Sequence, residues 1–176
     1  MTLAEHSGIA TDSVDLITVA QALHWFDIDA FSVEADRVLK EDAILAVWTY
    51  GVLSVNEKFD DIVKYLYGTI LGVFWPFERQ MVESGYADIV LPFSEIFPPS
   101  LVMSEEWRFA DVVGYLNTWS AVRAYEREHG TNPLEQVYDD LLRAWGDADA
   151  VRLTEWPFKL RIWKKSPRLS NNVVIP

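Results

Sequence analysis

The feature that most constrains the fold of this chain is a segment of helical periodicity between two apolar runs. The first run, Val14–Ala20 (VDLITVA), is rich in β-branched residues and predicts a strand buried on both faces of a parallel sheet. Residues 43–50 (AILAVWTY) predict a second such strand. Between them, residues 27–40 carry apolar side chains at helical spacing, with Asp27 or Asp29 as the N-cap. Strand, helix and strand in this order predict a right-handed crossover unit of an α/β fold.

The rest of the chain is mainly helical and ends in a strand. We predict one domain over residues 1–165 and a flexible tail over residues 166–176. The prolines of residues 91–100 predict a loop or an interrupted edge strand. Four further helices are predicted, at residues 56–71, 77–84, 110–128 and 133–145. Residues 106–109 are predicted to be the end of a strand, and residues 151–164 are predicted to form an antiparallel strand.

The composition of the 176 residues disfavours several classes of function. With 27 Asp and Glu against 15 Lys and Arg, the net charge of −12 disfavours nucleic-acid binding outside a local patch such as Lys164, Lys165 and Arg168. The chain has no cysteine, which excludes disulfides and thiolate chemistry. Residues 1–13 lack the pattern of a signal peptide, and no apolar run is long enough to span a membrane. We therefore expect a soluble, cytoplasmic protein that binds neither nucleic acid nor membrane.

Residues 21–26 (QALHWF) follow the first strand and are the first candidate binding site. Ligands of open parallel sheets bind beyond the carboxyl ends of the strands. An amide, an imidazole and two aromatic rings at this position fit a planar or cationic ligand. The alternative is structural: Trp25 and Phe26 would staple the following helix to the sheet, and His24 would cap that helix.

The segment AEHSGIATDSVDLITVAQALHWFDIDAFSVEADRVLKEDAILAVWTYG resembles the second half of the cofactor domain of class I S-adenosylmethionine-dependent methyltransferases. It is similar to the small-molecule branch, methyltransferase type 11, which includes trans-aconitate methyltransferase-like proteins, and AQALHWFD is its specific element. The later segments WPFERQMVESGY, LPF, GYLNTWSAV and WPFKLRIWKK are similar to the same branch, so the resemblance extends from about Ala4 to Lys165. It implies an α/β, Rossmann-like sheet with parallel strands 4 and 5, antiparallel last strands and a helical C-terminal half.

The resemblance also implies the residues of a site. S-adenosylmethionine would be the cofactor, with adenine near Ala4 and Glu5 and the methionine part with its methyl group near the exit of the first strand. The candidates at that exit are Gln21, Ala22, Leu23, His24 and Trp25. A small-molecule acceptor would be bound by the C-terminal half, where the candidates are Trp75, Arg79, Tyr115 and Trp119.

Each acceptor candidate has a structural alternative. The Arg79 guanidinium suits a carboxylate, or it forms a surface ion pair with Glu78 or Glu83. Trp119 lies at helical spacing with neighbouring apolar residues, which is also typical of a core position. Three scattered histidines provide no spacing for a metal site, and His6 and His129 are predicted to be solvated.

The sequence has no counterpart of the glycine-rich turn with which the family holds its cofactor. The chain therefore resembles a methyltransferase that starts about halfway through the cofactor domain. Because the family pairs its fourth strand with its first, we expect Val14–Ala20 to present an open edge. This edge predicts a homo-oligomer or binding of a complementing chain.

Three functions remain open from the sequence. The first is transfer of a methyl group from S-adenosylmethionine to a small acceptor, with a carboxylate as one candidate acceptor group and His24 as a base only for a hydroxyl acceptor. The second is a non-catalytic remnant or interaction module that uses the open edge of the sheet. The third is a split enzyme, in which a separate N-terminal half completes the sheet.

Overall fold

The computed structural model describes residues 2–167 of the chain. The predicted tail at residues 166–176 lies outside the described residues from Arg168 onward. Within the described residues the strands are β1 (Val14–Ala20), β2 (Leu39–Tyr50), β3 (Ser94–Ile96), β4 (Val102–Trp107) and β5 (Arg152–Lys164). The α-helices are α1 (Ile28–Val38), α2 (Glu57–Tyr65), α3 (Arg79–Glu83), α4 (Phe109–Asn117), α5 (Ser120–His129) and α6 (Tyr138–Trp145).

The first strands form the predicted crossover unit. β1 and β2 are parallel, and α1 joins them. The Asp27 carboxylate caps α1 by accepting a hydrogen bond from the Ala30 amide at 3.0 Å. Phe26 packs against Phe31 of the first turns, with ring centroids 5.0 Å apart, which is a hydrophobic staple. The predicted α/β class is confirmed.

The described chain divides into two compact units. Unit 1 contains residues up to 50, residues 81–101 and the chain from residue 159. Its sheet has the order β1, β2, β5, β3, and β3 pairs antiparallel with the second half of β5. The core beneath the sheet is built from the apolar faces of α1 and the strands and from the segment after α3; it includes Leu23, Phe31, Leu45, Val47, Tyr86 and Trp163.

β1 is buried on one face only, so the prediction of burial on both faces is wrong. Val19 is 4% exposed, whereas Leu16 on the opposite face is 53% exposed. The reason is coverage of the faces: Val19 lies in the core with Phe31 and Ala35 of α1, whereas Leu16 on the other face is left exposed. An apolar strand sequence shows that both faces of the strand are suited to burial. Whether a face is buried depends on which other elements of the fold pack against it.

Unit 2 contains residues 51–80 and 102–158. Here β4 pairs antiparallel with the first half of β5, as the alternation of residues 151–164 predicts. Trp145 of α6 is fully buried and packs against Phe59 of α2, with ring centroids 5.5 Å apart. The predicted helix at residues 110–128 is two helices, because the chain turns at Thr118, whose hydroxyl donates to the Tyr115 carbonyl at 2.6 Å.

The basic residues near the end of β5 do not form a cationic patch within the described chain. Lys164 pairs with Asp42 at 2.8 Å, and the Lys165 side chain is 2% exposed. Arg168 lies outside the described residues. In the part of the chain that is described, no helix has the length and apolar character needed to cross a bilayer.

Candidate functional site

The turn after β1 is fixed by Gln21. Its φ of 46° lies in the left-handed region, which is uncommon for a residue other than glycine. The backbone amide donates to the Trp48 carbonyl at 2.8 Å. The side-chain oxygen accepts from the Tyr50 amide at 2.8 Å and from the Thr49 hydroxyl at 3.0 Å. Gln21 therefore joins the ends of β1 and β2, and its oxygen is already used within the protein.

Residues 22–25 continue as a short 3₁₀ turn with one buried anchor. The Trp25 amide donates to the Ala22 carbonyl at 3.0 Å, which closes the turn. Leu23 is fully buried in the core of unit 1, so its side chain packs rather than faces a ligand. Trp25 is 59% exposed, and its ring does not staple α1, a role that belongs to Phe26. The turn thus buries Leu23 and presents the Trp25 ring.

His24 is held by a residue distant in sequence. Its Nδ1 lies 2.9 Å from the Tyr86 hydroxyl, and its ring centroid lies 4.6 Å from that of Trp25. His24 does not cap α1, because Asp27 does so. The imidazole and the exposed indole therefore form one aromatic pair at the carboxyl end of β1.

Ala4 and Glu5 lie beside this turn. They form a 3₁₀ turn, Ala4–His6, and Ala4 packs against the core of unit 1. The Glu5 carboxylate accepts a hydrogen bond from the Asp27 amide at 3.0 Å, at the N-terminus of α1. The cofactor candidates Glu5, Gln21 and His24 are thus brought together at the same end of β1 and α1.

A cavity of about 180 Å³ lies along β1 and α1. Its wall is mainly apolar and is formed by Ala4, Ser7, Ile9, Ile17, Thr18, Val19, Phe26, Phe31, Glu34, Ala35 and Val38. Glu34 is satisfied by Arg37 and by the amide and hydroxyl of Ser7. The hydrogen bonds from Arg37 and then Ser7 lower the pKa of Glu34 from 4.5 to about 2. The charge on this wall is therefore engaged in holding residues 7–9 against α1.

The acceptor candidates lie in unit 2, where Arg79 is held by two aromatic residues. Its Nε donates to the Tyr67 hydroxyl at 2.8 Å, and its guanidinium lies 4.8 Å from the ring centroid of Trp75. The Trp75 indole donates to the Tyr67 carbonyl at 3.0 Å, which fixes this ring. Within the described residues Arg79 forms no ion pair with Glu78, and the hydrogen bond of its side chain is the one from Nε, not from the two terminal nitrogens.

Trp75, Tyr115 and Trp119 belong to one group of rings, which we call the aromatic cluster. Its members are Tyr67, Trp75, Trp107, Tyr115, Trp119 and Trp156, joined by centroid distances of 4.6 to 6.2 Å. Trp119 is 9% exposed, as the core interpretation of this residue requires. The structure therefore brings all four acceptor candidates into or against one cluster.

Three members of the aromatic cluster were missed by the sequence analysis. Tyr67 lies in the π-helical segment Leu66–Ile70 that follows α2, Trp107 lies in β4, and Trp156 lies in β5. These elements are distant in sequence. The one signal in the sequence was the count of eight tryptophans. The rings of Trp107 in β4 and Trp156 in β5 meet at 4.8 Å between centroids, although the register places these residues opposite Arg152 and Met103.

Within residues 2–167, no three side chains of the metal-binding types lie close enough together to hold an ion. His6 and His129 are exposed, in agreement with their predicted solvation. His129 stacks edge-on with Tyr125 at 4.2 Å between ring centroids.

Comparison with known proteins finds methyltransferases. A family model described as "Methyltransferase domain" matches residues 2–47. A "Putative methyltransferase" of Dictyostelium discoideum is 32% identical over 152 residues, which are 85% of this chain and 58% of that protein. The solved structure of a "Putative Type II Methyltransferase" from Anaeromyxobacter dehalogenans is 40% identical, with a TM-score of 0.86 over 94% of this chain and 71% of that one. The chain thus spans 58% of the length of the curated relative it matches.

Proposed function

Because this chain belongs to the class I methyltransferase family, we propose that it transfers a methyl group from S-adenosylmethionine to a small molecule that bears a carboxylate. The observation that carries the acceptor assignment is Arg79. Its guanidinium is oriented by Tyr67 and Trp75, and its terminal nitrogens have no partner within the described residues. A planar fork of donors beside aromatic rings fits a carboxylate attached to an apolar body.

The cofactor side of the proposal depends on the turn after β1. The side-chain nitrogen of Gln21 forms no hydrogen bond with a described residue and suits the methionine carboxylate of the cofactor. The exposed Trp25 ring suits a sulfonium cation, and Glu5 suits polar groups near the adenine. These residues fit the methionine part of S-adenosylmethionine, although the 176 residues contain no glycine-rich turn. When bound, the cofactor supplies a methyl group activated by the sulfonium.

Methyl transfer requires mainly that the acceptor atom and the methyl group are aligned. A carboxylate is already an anion at neutral pH, so a carboxylate acceptor needs no general base. Arg79 would fix the direction of the acceptor, and the aromatic cluster would exclude water from its apolar body. His24 would act as a base only for a hydroxyl acceptor.

The experiment is calorimetric titration with S-adenosylhomocysteine, followed by trans-aconitate as the probe acceptor. We expect saturable binding of S-adenosylhomocysteine, with about 2.7 kcal/mol of added stability at a hundredfold excess over the dissociation constant. Arg79→Lys should weaken trans-aconitate binding about tenfold or more, because lysine lacks the fork. Arg143→Lys is the matched control, since Arg143 is exposed and pairs with Asp140.

Two results would contradict the proposal. If the folded chain takes up no S-adenosylhomocysteine, the cofactor assignment fails. If Arg79→Lys and wild type bind trans-aconitate equally, the acceptor assignment fails, while a cofactor site would still stand. The two parts are therefore separable in one series of titrations.

The exposure of β1 favours a second candidate, a module that binds another chain through this strand. Leu16 is 53% exposed on an edge strand beside the cavity of unit 1. An apolar edge strand is a template for pairing with a strand of a second copy or of a complementing chain. We propose a homo-oligomer formed through β1 as the first case to test.

Light scattering coupled to sizing tests this candidate at micromolar concentration. We expect an oligomer for wild type and a monomer for Leu16→Glu, because a charge on an open edge opposes pairing. The control is Leu153→Glu, at an exposed apolar position of β5 in unit 2. A wild-type monomer would contradict self-pairing; a family N-terminal half that then restores methyl transfer would identify the split enzyme.

A further inference from the structure

His24 is held by Tyr86, a residue that the sequence analysis did not single out. Tyr86 is 1% exposed, and its hydroxyl lies 2.9 Å from His24 Nδ1. The two rings are nearly parallel, at 21° and 6.2 Å between centroids. The contact at Nδ1 therefore fixes the orientation of the His24 ring at the carboxyl end of β1.

The backbone at Tyr86 is in a conformation that other parts of unit 1 must enforce. Tyr86 has a φ of 60°, directly after Gly85 with a φ of 67°. A bulky residue in the left-handed region is strained, and such strain persists only where the surroundings hold it. The end of α3 accounts for the beginning of this turn: the Gly85 amide donates to the Val82 carbonyl at 3.0 Å and the Tyr86 amide to the Met81 carbonyl at 2.8 Å.

Arg161 holds the rest of the turn. Its Nη1 donates to the backbone carbonyls of Tyr86 and Ile89, the latter at 2.9 Å. Its other nitrogens form a bidentate pair with Glu95, at 2.8 and 3.0 Å. The Arg161 guanidinium also lowers the pKa of the Glu95 carboxyl, chiefly by hydrogen bonding. A guanidinium with all of these contacts has one orientation, and it fixes the two carbonyls in space.

We propose that Tyr86 is a positioning residue for His24, and that Arg161 and Glu95 keep the strained turn that presents its hydroxyl. This inference rests on the proposed function, in which His24 lies on the cofactor side of the site. Tyr86 then fixes the orientation and the tautomer of the imidazole ring, because its hydroxyl either donates to Nδ1 or accepts from Nδ1–H.

Nuclear magnetic resonance of the histidine side chains tests the link without any ligand. In Tyr86→Phe the ring stays and the hydroxyl is lost, so we expect His24 either to change tautomer or to move its titration midpoint by about half a pH unit or more. His129 should be unchanged in the same sample. The matched control is Tyr125→Phe, which alters the ring beside His129 and should leave His24 unchanged.

The functional part is tested by titration with S-adenosylhomocysteine. Tyr86→Phe should weaken the binding of S-adenosylhomocysteine about fivefold or more, because the hydroxyl that holds His24 is lost. Arg161→Lys should weaken it by a similar factor, because lysine cannot reach both carbonyls and Glu95 together. An unchanged His24 signal in Tyr86→Phe overturns the proposal, and so does a changed signal with unchanged affinity. If wild type binds no S-adenosylhomocysteine, the proposed function fails, and the resonance comparison alone decides whether Tyr86 holds His24.

Discussion

At the scale of single residues, Glu34 shows how one carboxylate organises the start of the chain. It accepts hydrogen bonds from the Ser7 amide and hydroxyl and from two nitrogens of Arg37. Arg37 in turn donates to the Ile9 carbonyl at 2.7 Å and to the Thr11 hydroxyl at 3.1 Å. This network ties the chain that precedes β1 to α1, on the wall of the cavity that runs along β1.

The lowered pKa of Glu34 predicts a pH-dependent stability. Because the folded pKa is about 2 and the ordinary value is 4.5, the Glu34 contribution is fully present above about pH 4.5 and is lost as the pH falls towards 2. Glu34→Gln should be less stable than wild type at pH 6, and the difference should shrink as the pH is lowered. Urea unfolding of both proteins at several pH values checks this. A constant difference from pH 6 to pH 2.5 would contradict it.

At the scale of elements, the C-terminus of α3 depends on one glycine. Gly85 has a φ of 67°, and a Cβ atom there would lie 3.0 Å from Cγ of the Lys159 side chain. Gly114, inside α4, is the opposite case: its φ is ordinary, and a Cβ would meet no atom within 4 Å. At Gly85 the backbone conformation requires glycine, whereas at Gly114 glycine only adds the entropic cost of ordering a flexible residue in a helix.

Gly85→Ala should lower the free energy of unfolding by about 1 kcal/mol or more, because alanine is strained at positive φ. Gly114→Ala should raise it by about 0.5 to 1 kcal/mol, since alanine is the better helix former. Chemical denaturation of both variants measures the two signs. A stabilising Gly85→Ala would contradict the role of the left-handed turn that precedes Tyr86.

At the scale of the whole molecule, β5 and its last residues join distant parts of the sequence. β5 contributes residues to both compact units. Lys165, which follows it, donates to the carbonyls of Asp36 and Leu39, the latter at 2.7 Å, and pairs with Asp12 at 3.4 Å. A lysine with a side chain 2% exposed requires such partners, because an unpaired buried cation is very unfavourable.

Lys165→Met should lower the free energy of unfolding by about 3 kcal/mol, because the acceptors around it lose their partner inside the fold. The neighbouring Lys164→Met is the matched control. Lys164 forms an exposed pair with Asp42, so its loss should cost about 1 kcal/mol or less. Equal effects of the two substitutions in urea unfolding would contradict the buried role of Lys165.

The proposal that residues 1–165 form one domain has its own test. Since β5 takes part in both units, we expect a single cooperative unfolding transition. Near-ultraviolet dichroism reports the packing of aromatic side chains, and far-ultraviolet dichroism reports the secondary structure, in both units. Coincident transitions support one domain, and separate transitions would support two.

The sequence by itself determined much of the local structure of this protein, and it indicated the family. Val14–Ala20, the cap at Asp27 and the end of α3 at Gly85 follow from residue type, periodicity and backbone preference, which act over a few residues. The motif AQALHWFD indicated a methyltransferase and the candidate Gln21, and the later segment WPFERQMVESGY supplied the candidate Arg79.

Only the tertiary structure decided which side chains meet. Tyr86 at His24, Tyr67 at Arg79 and Lys165 at Asp12 are contacts between residues far apart in the chain. The sequence pattern also could not predict the exposure of Leu16, because an apolar strand has the same sequence pattern whether or not another element covers it. The physical reason is that periodicity records what a residue prefers to bury, whereas packing of distant segments decides what is buried and what its polar atoms bind.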